Sequence, residues 1–405
     1  AQPGISTMKL YIGPCGLGLG HITRCERIAR EFSSRGDDVI FSSYLDGLDY
    51  LRRTGLRHFS AFPISFRTRE DGTIDPKLTA TGNGVTVGLW KFVKQLLGEI
   101  KQIGLYQPDV VISDTRVSTL LAAILMRRPT CLILNQYSVQ IPTQTHSRGL
   151  ADRVMLLLGR IIWKYASALL GLVWGMSDAI IVPDLEYPYT ISAYNLSIPP
   201  RIAKKVRLVG PITQKTPKPI PNGVSIRCAK SQTTIFACVS GPANDRKYLV
   251  RVLSQGLREF PEEWKVVLSC GDPNGSSIPR KEGTSTVFEW MNEALYDETF
   301  KNASVIIARA GHETIMKGIA LGKPLVLIPP PNHTEQTNNA RRATELGVGL
   351  VLPQGSLDSD ILVKAVSESM EKCSERAVEI SRILSAHSGT ETVVKTVYGL
   401  ARARF

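Results

Sequence analysis

Apolar residues along this chain fall into short uninterrupted runs. Leu10-Tyr11-Ile12, Val39-Ile40-Phe41, Val110-Val111-Ile112, Cys131-Leu132-Ile133-Leu134 and Ala179-Ile180-Ile181-Val182 are the clearest in the first half. A strand with one wet face alternates apolar and polar residues. Continuous runs instead predict strands covered on both faces, as in a parallel sheet between helices. The predicted strands are 10–12, 38–43, 56–62, 108–114, 130–136 and 179–183, with a helix from about Ile22 to Gly36. The stretch Leu208 to Gln232 breaks the rhythm with Pro211, Pro217, Pro219, Pro221 and Gly223, and reads as a linker. A second set of strands follows at 233–240, 264–270, 287–290, 303–309 and 324–328, with a helix from Thr314 to Leu321. The pattern predicts an α/β protein of two doubly wound Rossmann-like domains facing a central cleft. The first spans 8–210, the linker 211–232 and the second 233–405, the last helix being free to pack back on the first domain. A chain of 405 residues is long enough for two cores.

Ligands of doubly wound sheets bind beyond the carboxyl ends of the strands, so the chemistry is sought there. Gly16-Leu17-Gly18-Leu19-Gly20-His21 joins the first strand to the first helix. Its glycines, Gly18 and Gly20 among them, let the backbone approach a ligand, and a helix N-terminus offers free N–H groups. The spacing is not the G-x-G-x-x-G of dinucleotide sites. His21 is the one side chain in this turn that exchanges a proton near neutral pH. It is either a base or a helix cap, although His is not among the favoured capping residues. Asp114 ends another strand on the same side. It is a second base candidate, an orienter of His21, or a cap for a helix near Val117. In the second half, Ala310-Gly311-His312-Glu313-Thr314 lies where a strand turns into a helix. That helix end can hold a diphosphate, Gly311 lets it approach, Thr314 can cap, and Glu313 can accept from ribose or sugar hydroxyls. Ser240-Gly241-Pro242 ends the first strand of the second domain.

Charge narrows the partners. The net charge is +13. Phosphorylated ligands and an anionic membrane surface fit it better than nucleic acid, because no zinc finger, RRM signature or aromatic-basic interleaving is present. Seven scattered cysteines, none in a C-x-x-C pair, imply neither a disulfide framework nor a zinc site and fit a reducing compartment. Residues before Met8 read as a loose terminus, and no secretory signal is visible.

The glycine-His turn, the two-domain pattern and the run from Arg309 through Gly322-Lys323-Pro324 to Glu335-Gln336-x-x-Asn339-Ala340 resemble GT-B glycosyltransferases. The resemblance is to the MurG-like group, glycosyltransferase family 28, with its archaeal branch and the dolichyl-linked GlcNAc transferase. It implies an inverting transfer of a sugar, GlcNAc foremost, from a UDP-sugar to a lipid-linked polyprenyl- or dolichyl-phosphate type acceptor. It implies His21 and the Gly18–Gly20 loop on the acceptor side, and Ser240 and Gly241 near the diphosphate. Phe288 falls on the loop that reads uracil, Gly311 to Thr314 at the phosphate-binding helix, and Glu335 with Gln336 at the donor sugar, with Arg309, Lys317 and Asn339 also counted on the donor side. The family carries a ribose-binding glutamate one turn into that helix. Here the position is Lys317, so Glu313 either takes over the ribose or the nucleotide preference differs. No cofactor and no obligatory metal are implied, and the sequence has no Asp-x-Asp motif. A glycolipid synthase acting on diacyl- or diether-glycerol lipids and a UDP-GlcNAc 2-epimerase are the alternatives on the same scaffold.

The stretch from Val154 to Gly175 is very apolar and about 30 Å long at about 1.5 Å per residue, but Arg160 and Lys164 interrupt it. Each mid-membrane cation costs roughly 2.5–3.5 kcal/mol, which argues against spanning. The stretch reads either as an interfacial helix, with Trp163, Tyr165 and Trp174 at headgroup level, or as a core helix. The first reading places the protein in the cytoplasm, peripheral at the inner face of the membrane. The polar stretch Arg67 to Gly88 reads as a long acceptor-side loop.

Overall fold

The computed structural model describes residues 7–65, 76–137, 164–165, 167–213, 232–384 and 388–403, with backbone alone over 76–86. Two sheets organise them, and every strand of the first is parallel to its neighbours. Its strands are β1 (Lys9–Pro14), β2 (Asp38–Ser43), β3 (His58–Ser60), β4 (Val110–Asp114), β5 (Thr130–Ile133), β6 (Ala179–Val182) and β7 (Val206–Leu208). They lie in the order β3-β2-β1-β4-β5-β6-β7. The helices on this sheet are α1 (Gly20–Ser34), α2 (Leu45–Thr54), α3 (Pro76–Tyr106), α4 (Val117–Leu125) and α5, whose described part is 167–175. Strand order reverses between β1 and β4, so a crevice opens there at the carboxyl edge.

The second sheet contains β8 (Thr234–Cys238), β9 (Lys265–Ser269), β10 (Arg280–Glu282), β11 (Ser285–Phe288), β12 (Val305–Ala308), β13 (Leu325–Leu327) and β14 (Gly349–Val351). Their order is β10-β11-β9-β8-β12-β13-β14, and only the β10–β11 pair is antiparallel. Its helices are α6 (Ala243–Leu257), α7 (Glu293–Asn302), α8 (His312–Ala320), α9 (Thr334–Glu345) and α10 (Ser359–Leu384). Its reversal lies between β8 and β12. The final helix, α11 (Gly389–Arg402), leaves the second domain and packs on α1, with Val393, Val394 and Val397 buried beside Leu10 and Ile12 of β1.

The segment after β6 crosses in the opposite sense. Leu185 and Ile191 are buried in the core of the second domain with Phe236, Ala310 and Ile315. Each domain therefore contributes apolar side chains to the other's core. Burial of that kind is worth roughly 1.5–3 kcal/mol per large side chain, which favours the two domains staying docked.

Two expectations are corrected here. Residues 76–88, expected in a loop, form the start of α3; residues 66–75 lie outside the described residues. Trp174, expected at a membrane surface, is only 2% exposed. Its ring packs 5.7 Å from that of Tyr137, among Leu120, Leu132 and Ile180. Arg160 and Trp163 lie outside the described residues, and Lys164 is exposed. Among the described residues, no helix is long and apolar enough to cross a membrane.

Candidate active site

The two switch points face each other and nearly touch. Gly18 has φ +71°, a left-handed conformation that favours glycine, and a Cβ there would lie 3.2 Å from the Cα of Gly241. Asp46 holds this junction from α2. It accepts from the Gly18 N–H at 3.2 Å, and its other oxygen pairs with Arg246 of α6 at 3.1 Å. Arg246 also donates to the Gly241 carbonyl at 3.1 Å. The glycine loops of both domains are thus fixed against each other by one ion pair.

His21 is the second residue of α1, whose N-cap is Leu19, so His21 is not the cap. Its side chain is 25% exposed. Its Nδ1 lies 2.8 Å from Oδ1 of Asp114, which is fully buried at the end of β4. Arg24 grips the same carboxylate at both oxygens, Nε to Oδ2 at 2.9 Å and Nη2 to Oδ1 at 2.7 Å. Burial alone would raise the proton affinity of Asp114, but Arg24 and His21 outweigh it and hold its pKa well below the usual carboxylate range. An ionised carboxylate only accepts, so Nδ1 carries the proton and donates to it. In the neutral ring the lone pair then sits on Nε2. Asp114 does not cap α4, whose N-cap Arg116 makes no side-chain cap bond. Of the three roles open from the sequence, the cap is excluded, and Asp114 is in direct contact with His21.

Across the junction lies the N-terminus of α8. A Cβ built on its N-cap, Gly311, meets no atom within 4 Å, so open space lies beside this helix end. A helix of nine residues with open space at its N-terminus can receive an anion. The residues around it are placed otherwise than the sequence suggested. Thr314 makes no capping bond. His312 is buried and its Nε2 donates to Asp184, after β6, at 3.0 Å. Glu313 points at the first domain, where it is ion-paired with Arg27 of α1. Arg309 is spent inside the domain on Asp245, Gln354 and the Ile328 carbonyl. Lys317 turns to α7, pairs with Asp297 and lies 4.5 Å from the Tyr296 ring centre. Burial pushes its pKa down. Phe288 is buried at the end of β11, and its carbonyl accepts from the Cys270 N–H at 2.8 Å, so it stands before the loop and not on it.

The Glu335-Gln336 pair opens α9. Glu335 Oε1 accepts from Asn135, beyond β5, at 2.7 Å. Gln336 beside it is half-buried. Asn339 is fully buried, donates to the Ala310 carbonyl at 3.2 Å and accepts from Asn195 at 2.9 Å. It ties α9 to the β12–α8 turn. Ser240 and Gly241 are half-buried at the junction itself. Among the described residues, no group of three or more His, Cys, Asp or Glu side chains is placed to hold a metal.

Sequence reading missed Arg24, Arg27, Asp46, Asn135, Asp184 and Arg246. Only Arg24 carried a usable signal, because it stands three residues after His21 on one helix face. The others meet partners 128 or more residues away.

Two facing doubly wound domains, with His21 paired to Asp114 at one switch point and an open helix end at the other, form the GT-B fold. Solved structures carry the same fold across nearly the whole chain. The calicheamicin glycosyltransferase CalG4 matches with TM-score 0.63 at 16% identity, over 98% of each chain. The kitacinnamycin glycotransferase matches with TM-score 0.64 at 17% identity, over 98% of this chain and 100% of that one. The glycosyltransferase family 28 C-terminal domain matches residues 237–394. An uncharacterized glycosyltransferase of Methanosarcina mazei is 26% identical over 95% of this chain and 97% of that protein. The UDP-N-acetylglucosamine--N-acetylmuramyl-(pentapeptide) pyrophosphoryl-undecaprenol N-acetylglucosamine transferase of Legionella pneumophila is 34% identical, over 36% of this chain and 40% of that protein. Over residues 237–394 the chain carries the glycosyltransferase family 28 C-terminal domain, and it is a glycosyltransferase.

Proposed function

We propose that this glycosyltransferase moves a sugar, GlcNAc in the first instance, from a UDP-sugar to a lipid-linked acceptor of polyprenyl- or dolichyl-phosphate type. The observation that carries the reading is the pairing of His21 with buried, ionised Asp114, opposite the open N-terminus of α8. The acceptor oxygen attacks C1 of the sugar from the His21 side. Its proton passes to Nε2 as the new C1–O bond forms, and the old C1–O bond breaks with its electron pair leaving on UDP. The N–H groups of α8 and its dipole stabilise the negative charge gathering on the diphosphate. Attack opposite the leaving group inverts C1.

The lipid-linked acceptor is supported by the name of the Legionella relative, a transferase acting on a pyrophosphoryl-undecaprenol acceptor, and by the charge of +13. Exposed apolar side chains support it too: Leu89, Trp90, Val93 and Leu97 on α3, and Leu169, Leu172 and Met176 in and just after α5. Interleaved with Lys91, Lys94 and Lys164, they suit an anionic membrane surface at the inner face of the cytoplasmic membrane. Lys94 lies 3.8 Å from the Trp90 ring centre.

The donor half is tested at Gly311. A Cβ there meets no atom within 4 Å, so Gly311→Val is expected to fold normally and to fill the anion's place. UDP affinity measured by calorimetry is expected to fall at least about tenfold, or about 1.4 kcal/mol. Unchanged affinity in a folded variant removes α8 from the donor site.

A further inference from the structure

The carboxylate of Asp114 is held from more directions than a histidine needs. Oδ1 takes His21 Nδ1 at 2.8 Å, Arg24 Nη2 at 2.7 Å and the Thr115 hydroxyl at 3.1 Å. Oδ2 takes Arg24 Nε at 2.9 Å and the Cys25 thiol at 3.5 Å. Arg24 is itself only 2% exposed. Its two contacts form the parallel fork of a guanidinium on a carboxylate, which fixes the plane of the acid as well as its charge. Arg24 Nη2 also comes within 3.3 Å of His21 Nδ1. At that nitrogen the 2.8 Å contact to the carboxylate is the shorter, so the ring donates to Asp114 and the guanidinium stands beside it as a cation.

We propose that Arg24 is a positioning residue for the transfer reaction. It locks Asp114 in the ionised form and in one plane, and so holds His21 in the single tautomer whose Nε2 faces the acceptor.

This rests on His21 acting as the base. A histidine paired with a free carboxylate has two alternatives open to it. The acid can take the proton, or the ring can turn and present Nδ1. Arg24 closes the first by placing a fixed positive charge on both oxygens. It closes the second by leaving only one lone-pair direction for the ring. Cys25 stays protonated, since burial and then Asp114 push its thiol pKa well up, and it adds a weak donor from the same helix. Arg24 does not reach the cleft surface, so its part is played through Asp114.

The test is the tautomer of His21, read by ¹⁵N NMR on protein labelled at histidine, with no substrate present. The wild type is expected to show one tautomer, protonated at Nδ1. Arg24→Gln keeps a donor but loses the charge and the fork, and is expected to show both tautomers. Turnover, read as UDP released from UDP-GlcNAc with a short-chain polyprenyl phosphate, is expected to fall at least about tenfold. That is part of the about 10²–10⁴-fold of a general base, and KM for the donor should not move. Arg24→Gln in the His21→Ala background is expected to cost nothing more. Should Arg24→Gln not fold, Arg24→Lys carries the same measurement, because lysine keeps the charge without the fork. A folded variant with one tautomer and wild-type turnover overturns the proposal for Arg24. An equal loss with and without His21 does so too. Wild-type turnover in His21→Ala alone instead overturns the base assignment beneath it.

Discussion

His21→Ala is expected to lower turnover by about 10²–10⁴-fold, the usual share of a general base, and to leave UDP affinity as it was. The two effects separate because His21 stands on the first domain and the donor pocket on the second. Asp114→Asn should approach the same loss. An asparagine in that place offers a neutral carbonyl or an N–H to Nδ1, and so no longer selects the tautomer with Nε2 free. UDP binding by calorimetry and initial rates on the same preparations check both parts. Near-normal rates in both variants would mean that the acceptor arrives as an anion and that His21 only positions it. A lost UDP affinity in His21→Ala would mean that the two domains do not divide the substrates as stated.

Asp184→Ala should give the largest loss of stability among the residues of the domain junction, about 3–5 kcal/mol, the cost of removing one partner from a buried ionic group. Asp184 is fully buried and accepts from the backbone N–H groups of Leu185, Ile191 and Ser192, from the Ser192 hydroxyl and from His312 Nε2. Alanine leaves all five donors without that acceptor, and it unties α8 from the first domain. Burial favours the protonated acid, but His312 and Ser192 prevail and hold the Asp184 pKa below its usual value. The pH dependence follows in sign. Asp114 and Asp184 both take up their protons more readily when unfolded. Their stabilisation is complete above the ordinary carboxylate pKa, about 4, and is lost as pH falls below it toward the folded-state values. The wild type should therefore lose stability in acid, and Asp184→Ala should follow a flatter curve. Urea titrations between neutral and acidic pH check this. A loss under about 1 kcal/mol for Asp184→Ala would show the contact to be dispensable.

The parts of this molecule legible in the sequence are those written in neighbouring residues. Uninterrupted apolar runs marked the buried parallel strands. The Gly-x-Gly-His turn marked the first switch point, and the Arg309-to-Asn339 run marked the second. What failed depends on partners distant in the chain. Glu313 reads as a ribose acceptor until Arg27, 286 residues away, is seen to pair with it. Lys317 stands at a glutamate position of the family, but Asp297 and the Tyr296 ring draw it onto α7. Trp174 lies in an apolar stretch with cations and reads as interfacial, whereas Tyr137 and the β5–β6 face supply an inner surface for it. Residues 76–88 hold weak helix formers such as Thr and Gly. The helix forms there as part of α3, whose Glu99 is anchored further along by Tyr11, Arg116 and Thr119 inside the domain. Packing outweighs local propensity in helices of this kind.

The proposed transfer of a sugar from UDP to a lipid-linked acceptor at the facing switch points is open to direct measurement. The most direct measurement is mass spectrometry of the products after the purified protein has been incubated with a panel of UDP-sugars and short-chain polyprenyl or dolichyl phosphates. The expected result is UDP together with a lipid phosphate heavier by one sugar, most abundant with UDP-GlcNAc and lost in His21→Ala. Release of no UDP from any donor, with every lipid recovered at its starting mass, would contradict it.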